Sequence, residues 1–112
     1  MNEWCVIVYD KPGTDRMSVF DQHVKGLPAV IKDGSMITGG QINDDSDPRK
    51  PIGSNLTIRA RTKEDVVKIL KNDAFYKNGI WDVDNAIIHH LYCVYREELS
   101  YQLWLEYEWW FW

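Results

Sequence analysis

The order of elements in this chain predicts an α+β domain: one antiparallel sheet carrying two helices on a single face, in a split β-α-β-β-α-β arrangement. Three observations lead there. β-branched and aromatic runs occur at residues 4–9, 35–42, 54–61 and 84–95. Two amphipathic segments fall between the first and second runs and between the third and fourth. The chain is 112 residues long, enough for one core but not for two. Right-handed crossovers then fix the hand and set the two helices roughly antiparallel.

The first strand, Trp4 to Tyr9, is stopped by Asp10-Lys11-Pro12-Gly13. Ser18 has the chemistry of an N-cap for a helix to about Asp33, with Phe20, Val24, Leu27 and Ile31 as its apolar stripe and Gly34 beyond its end. Pro28 lacks a donor and crowds the carbonyl of Val24, so a kink or a restart is expected there. A second strand, Ser35 to Ile42, is interrupted by Gly39-Gly40, and the polar stretch Asn43 to Gly53, with two prolines and three aspartates, reads as a surface loop. Ser54 to Arg61 alternates cleanly, as a half-buried strand does. Thr62 and Asp65 resemble a capping box for a second helix over residues 63–72, followed by a loop from Asp73 to Trp81. Asp84 to Tyr95 is apolar on both faces, which predicts a last strand whose outer side is covered by a second copy of the chain.

Composition narrows the function. The hydrophobic fraction is 45%, the charged fraction 27% and the net charge −4, which describes a folded domain without the basic face that nucleic acid or an anionic membrane requires. The strand at 54–61 also lacks the aromatics that stack bases. Cys5 and Cys93 read as small buried thiols, not a disulfide or a metal pair. No basic, cleavable leader is visible, so a cytoplasmic protein is expected. Residues 98–112 hold four of the six tryptophans and form an aromatic tail, too short and too acidic to span a membrane.

Antiparallel helices bring the start of the first beside the end of the second, and so His23 beside Asp73. A carboxylate fixes an imidazole's tautomer and strengthens it as a general base, which suits proton abstraction next to a carbonyl or a halide. A structural histidine and a turn-forming aspartate are the plain alternative. Ser54 could hold a substrate oxygen, and Trp81 could line an aromatic pocket or pack in the core. Asn43, Asp44, Asp45 and Asp47 match no calcium-loop spacing, so no metal site is expected, and Asp44 is a secondary candidate for a group near the cleft. His89 and His90, adjacent in a strand, point to opposite faces.

Several segments, in order, carry a resemblance: Phe20-Asp21-Gln22-His23-Val24-Lys25-Gly26-Leu27, Ile37-Thr38-Gly39-Gly40, Gly53-Ser54, and Asp73-Ala74-Phe75-Tyr76-Lys77-Asn78-Gly79-Ile80-Trp81. Together these resemble the YciI-like (YCII-related) family of the dimeric α+β barrel superfamily, over about residues 3–95. The resemblance implies a ferredoxin-like protomer, a homodimer joined through the open sheet faces, and a cleft around a helix-one histidine and an acidic partner. It also implies kinship with cofactor-independent enzymes that eliminate halide from, or isomerise, small ring compounds. The family's histidine falls on His23, its aspartate on Asp73 and its Gly-Ser on Gly53-Ser54. Gly39-Gly40-Gln41 and Asp73-Ala74-Phe75 replace the family's usual Ala-Gly-Pro and Asp-Pro-Phe, which leaves both loops less restrained.

The expected organisation is a YciI-like domain over residues 1–97 with an appended tail at 98–112. The expected function is that of a cofactor-free, small-molecule lyase or isomerase using His23 and Asp73, with Ser54, Asp44 and Trp81 as substrate contacts. A non-catalytic dimeric module that binds a small hydrophobic ligand is the alternative.

Overall fold

Strand β1 (Asn2–Tyr9) sets the two faces of the sheet: Val6 and Val8 are fully buried, while Ile7 and Tyr9 point the other way. The computed structural model describes residues 1–97 of the chain. After β1 a 3-10 turn (Arg16–Val19) leads into α1 (Phe20–Lys32), then β2 (Met36–Asp44), β3 (Asp47–Ala60), α2 (Lys63–Lys71), the one-turn helix α3 (Ala74–Lys77), a second 3-10 turn (Val83–Asn85) and β4 (Ile87–Leu91). The sheet order is β2-β3-β1-β4 and every neighbouring pair is antiparallel. That is the ferredoxin-like topology, with both crossover helices on one face.

The core lies between that face and the second half of the chain. Val6, Val8, Leu56, Ile58, Ala60 and Ile88 from the sheet meet Val66 and Leu70 of α2, and then Phe75, Ile80, Trp81 and Val83. Thr62 caps α2 by accepting a hydrogen bond from the Asp65 amide at 3.1 Å, a contact worth about 1 kcal/mol. Helix α1 is different: none of its residues is buried.

Several boundaries differ from the sequence expectation, each for a local reason. Ser18 does not cap α1. Asp15 caps the 3-10 turn instead, accepting from the Met17 amide, and the helix begins at Phe20 and runs unbroken through Pro28. The stripe of Phe20, Val24 and Ile31 faces outward, with exposures of 38%, 41% and 57%. The half-buried side of the helix is His23, Leu27 and Val30.

The stretch from 43 to 53 is not a loop. It extends a long hairpin around a turn in which Asp44 accepts from the amide and hydroxyl of Ser46. Pro48 and Pro51 are tolerated because β1 pairs with β3 only as far as Gly53, so this half of β3 has a free edge. The segment after Asp73 contains the helical turn α3. Strand β4 stops at Leu91, opposite Glu3 and one residue short of the start of β1. Residues Tyr92 to Arg96 instead share a depression with Thr38 and Thr57, and Arg96 pairs with Glu3 at 2.7 Å. That hydrogen bond holds the Glu3 carboxyl below the usual carboxylate range. His90 stacks on Trp4 with ring centroids 5.0 Å apart, and His89 lies opposite Cys5. The expected tail falls outside the described residues.

Gly53 ends the pairing of β3 with β1, opposite Tyr9. A Cβ there would sit 2.7 Å from the Val8 carbonyl oxygen and 3.1 Å from the Tyr9 Cα, and backbone atoms cannot swing away. Gly53→Ala should therefore cost about 1–3 kcal/mol in urea denaturation. A wild-type midpoint in that variant would mean that the strands separate freely here.

Candidate functional site

Helix α2 closes at Asn72, and the next residue turns extended, with Asp73 at φ −79° and ψ 147°. That conformation aims the Asp73 carboxylate back at α3, where it accepts from the Phe75 amide at 2.8 Å as an N-cap. The same carboxylate meets α1. Its two oxygens lie 2.9 and 3.0 Å from Nδ1 of His23. An ionised carboxylate only accepts, so the neutral ring carries its proton on Nδ1 and leaves Nε2 as the basic atom. Nε2 has no hydrogen-bond partner among the described residues.

The imidazole is also held by stacking. Phe75 lies almost parallel to it, 4.0 Å away at 11°, and the Arg16 guanidinium carbon stands 4.6 Å from the same phenyl centroid. Two planar groups cannot share one ring face at those distances, so Phe75 is sandwiched between them. Arg16 is 3% exposed and is fixed in turn: Nε and Nη2 donate to the two Asp10 oxygens at 2.8 and 2.7 Å, and Nη2 also donates to Ser54 Oγ at 3.0 Å. Trp81 Nε1 donates to the same hydroxyl at 3.2 Å, and its indole stands edge-on to His23 and Phe75.

Because α1 stands off the core, a cleft of about 210 Å³ opens between it and α2, above the sheet. Helix α1 contributes His23, Gly26, Ala29 and Val30, and the sheet contributes Met36, Leu56 and Ile58. Ile69, Leu70, Asn72, Asp73, Ala74 and Trp81 complete the lining. The walls are apolar except at the end where His23, Asn72 and Asp73 converge.

The structure brings His23, Asp73 and Trp81 to this one cleft. Ser54 lies behind it, buried, with its oxygen already accepting from Arg16 and Trp81. Asp44 sits at the hairpin tip and does not line the cleft; the Ser46 hydroxyl holds its carboxyl below the usual range. Sequence reasoning missed the Asp10–Arg16 pair, whose members look like a strand stop and a loop cation, and it missed Gly26 and Asn72. Among the described residues no three His, Cys, Asp or Glu side chains gather as metal ligands, and no helix is long and apolar enough to cross a membrane.

The YCII-related domain family matches residues 2–86, most of the chain, and the chain belongs to that family. Aspercryptin biosynthesis cluster protein B of Emericella nidulans is 29% identical over 91 residues, covering 75% of this chain and 58% of that protein. The chain thus spans little more than half of that relative's length. The solved structure of 5-chloro-2-hydroxyhydroquinone dehydrochlorinase from Burkholderia phenoliruptrix AC1100, in complex with 2,5-dihydroxybenzoquinone, matches with a TM-score of 0.59 and 20% identity, over 80% of this chain and 93% of that one. That likeness establishes the fold, a ferredoxin-like protomer.

Two stability predictions follow from the double use of Asp73 and the burial of Arg16. Asp73→Ala should lose about 1–2 kcal/mol, whereas Asp73→Asn, which still caps a helix, should lose markedly less; equal losses in urea melts would show that the cap is not the structural role. Arg16→Met should be far worse, about 3–5 kcal/mol, because it strands the Asp10 carboxylate beneath the 3-10 turn. A loss under about 1 kcal/mol would place that pair effectively in water.

Proposed function

We propose that this YCII-related protein is a cofactor-independent small-molecule enzyme of lyase or isomerase type, with His23 as general acid and base and Asp73 orienting it. The observation that carries this reading is the approach of both Asp73 oxygens to Nδ1 while Nε2 remains unpartnered beside an apolar cleft. In the proposed reaction Nε2 takes a proton from a carbon or hydroxyl adjacent to a carbonyl or halide. Asp73 remains ionised and stabilises the imidazolium. The electron pair left on the substrate then expels halide in an elimination, or is reprotonated by the imidazolium at another atom in an isomerisation. Neither outcome changes the substrate's net oxidation state, so no electron carrier is needed.

The dehydrochlorinase that shares the fold, and the ring compound bound to it, support a ring substrate of this kind. The biosynthesis-cluster name of the curated relative agrees with small-molecule work. Trp81 is the proposed aromatic contact, and Ser54 acts by fixing Trp81 and Arg16. A second reading, a binding module without turnover, draws on the apolar character of most of the cleft wall.

The proposal extends to assembly. Ile7, Tyr9, Ile87 and Leu91 lie on the sheet face away from the helices, with Tyr9 46% and Ile87 40% exposed, which favours a homodimer joined through that face. Residues 1–97 would be the unit that pairs, with 98–112 appended to it.

Chloride release from 5-chloro-2-hydroxyhydroquinone tests the catalytic reading. Wild type should turn it over, and His23→Gln should lower kcat by about 100- to 10,000-fold with a smaller effect on KM. Asp73→Asn should lower kcat in the same direction. Turnover by His23→Gln at the wild-type rate would exclude the dyad. Tight binding without turnover by the wild type would favour the module.

A further inference from the structure

Gly26 occupies an unfavourable place for a glycine. It lies in the interior of α1, where glycine is the poorest helix former apart from proline, and Pro28 already weakens the same helix. None of the usual reasons for a glycine applies. Gly13, Gly34 and Gly79 adopt positive φ, but Gly26 does not. A close approach of a neighbouring element would also explain it, as at Gly53, yet a Cβ at position 26 would meet no atom within 4 Å. The chain therefore gives up helix stability at a position where alanine would fit.

The position on the helix supplies the reason. The cleft-lining residues of α1 are His23, Gly26, Ala29 and Val30, which span an arc of roughly 120° on a helix of 3.6 residues per turn. Gly26 sits near the middle of that arc, one turn beyond His23. Any side chain at 26 would project into the cleft, just past the imidazole. Ala29, the next residue along the same line, is also small.

We propose that Gly26 is a size-determining position of the binding site. Its missing side chain keeps open the space that receives the body of a single planar ring, and the polar end of the ligand meets His23 Nε2 and the Asn72 carboxamide. Asn72 lines the cleft and is exposed, so its carboxamide is open to pairing with a ligand hydroxyl or carbonyl. The opposite wall, Leu56, Ile58, Ile69 and Leu70, is purely aliphatic and suits the apolar edge of the ring. The ligand class is a one-ring phenol, enol or quinone. This deepens the reading of the cleft as a small-molecule site and rests on it, but it does not require that the ligand be turned over.

Phenol as a one-ring probe, followed by NMR at the His23, Asn72 and Trp81 side chains, tests the proposal on the full chain. Wild type should show saturable shifts concentrated at those residues. Gly26→Leu should weaken phenol binding by about tenfold or more, since even one methylene in an apolar pocket discriminates to that extent. Gly26→Ala should raise Tm by roughly 4 °C, because the helix gains propensity without a clash. Opposite signs for stability and binding along this series support the space-keeping role. Phenol binding by a folded Gly26→Leu protein at wild-type strength would overturn it, as would wild-type shifts that are absent or map elsewhere. If phenol binds and Gly26→Leu excludes it while chloride release fails, the halide-elimination reading falls and the role of Gly26 stands.

Discussion

The carboxylate of Asp73 is the constraint on which the rest of the site depends. It closes the turn between α2 and α3 by capping the Phe75 amide, and it reaches α1 through His23. Fifty residues of sequence separate those partners. The cap fixes where Phe75 points, and Phe75 in turn presents one face to the imidazole and the other to Arg16. A substitution at Asp73 is felt in three elements together.

On the same aromatic ring, Phe75, the protein places a second charged unit. Arg16 and Asp10 are buried as a bidentate pair, with Ser54 and Trp81 completing the hydrogen bonds. A buried pair of this kind contributes little net stability over apolar packing, but it is costly to break, so it fixes geometry more than it adds energy. Here the geometry fixed is the pose of two aromatic rings that border the imidazole. Ser54 thus serves the cleft from behind.

Much of this was legible in the sequence, and the failures have physical causes. The alternation in β1 and in the second half of β3, and the cap at Thr62, are local signals, so the element order and the topology could be read directly. The meeting of His23 and Asp73 followed from the topology, since antiparallel crossover helices place one start beside one end. The hairpin beyond Gly53 was hidden because its prolines are permitted only by a free edge, which is a property of the assembled sheet. Arg16 was hidden because a lone cation in a polar turn looks solvated until Asp10 and Ser54 are brought under it. The stripe on α1 misled for a related reason. Phe20, Val24 and Ile31 mark the apolar side of the helix, but the side turned inward is the one that carries His23, Leu27 and Val30.

A helix without a buried residue has a thermodynamic consequence. The free energy that holds α1 against the sheet comes from half-buried contacts and a polar clasp at its first turn, whereas α2 is anchored by Val66 and Leu70 in the core. Local opening of α1 exposes far less apolar surface than global unfolding does. The amides of α1 are consequently expected to exchange faster than those of β1 and of the part of β3 paired with it. The imidazole thus rides on the less anchored of the two crossover helices, and its aspartate partner sits at the end of the better anchored one.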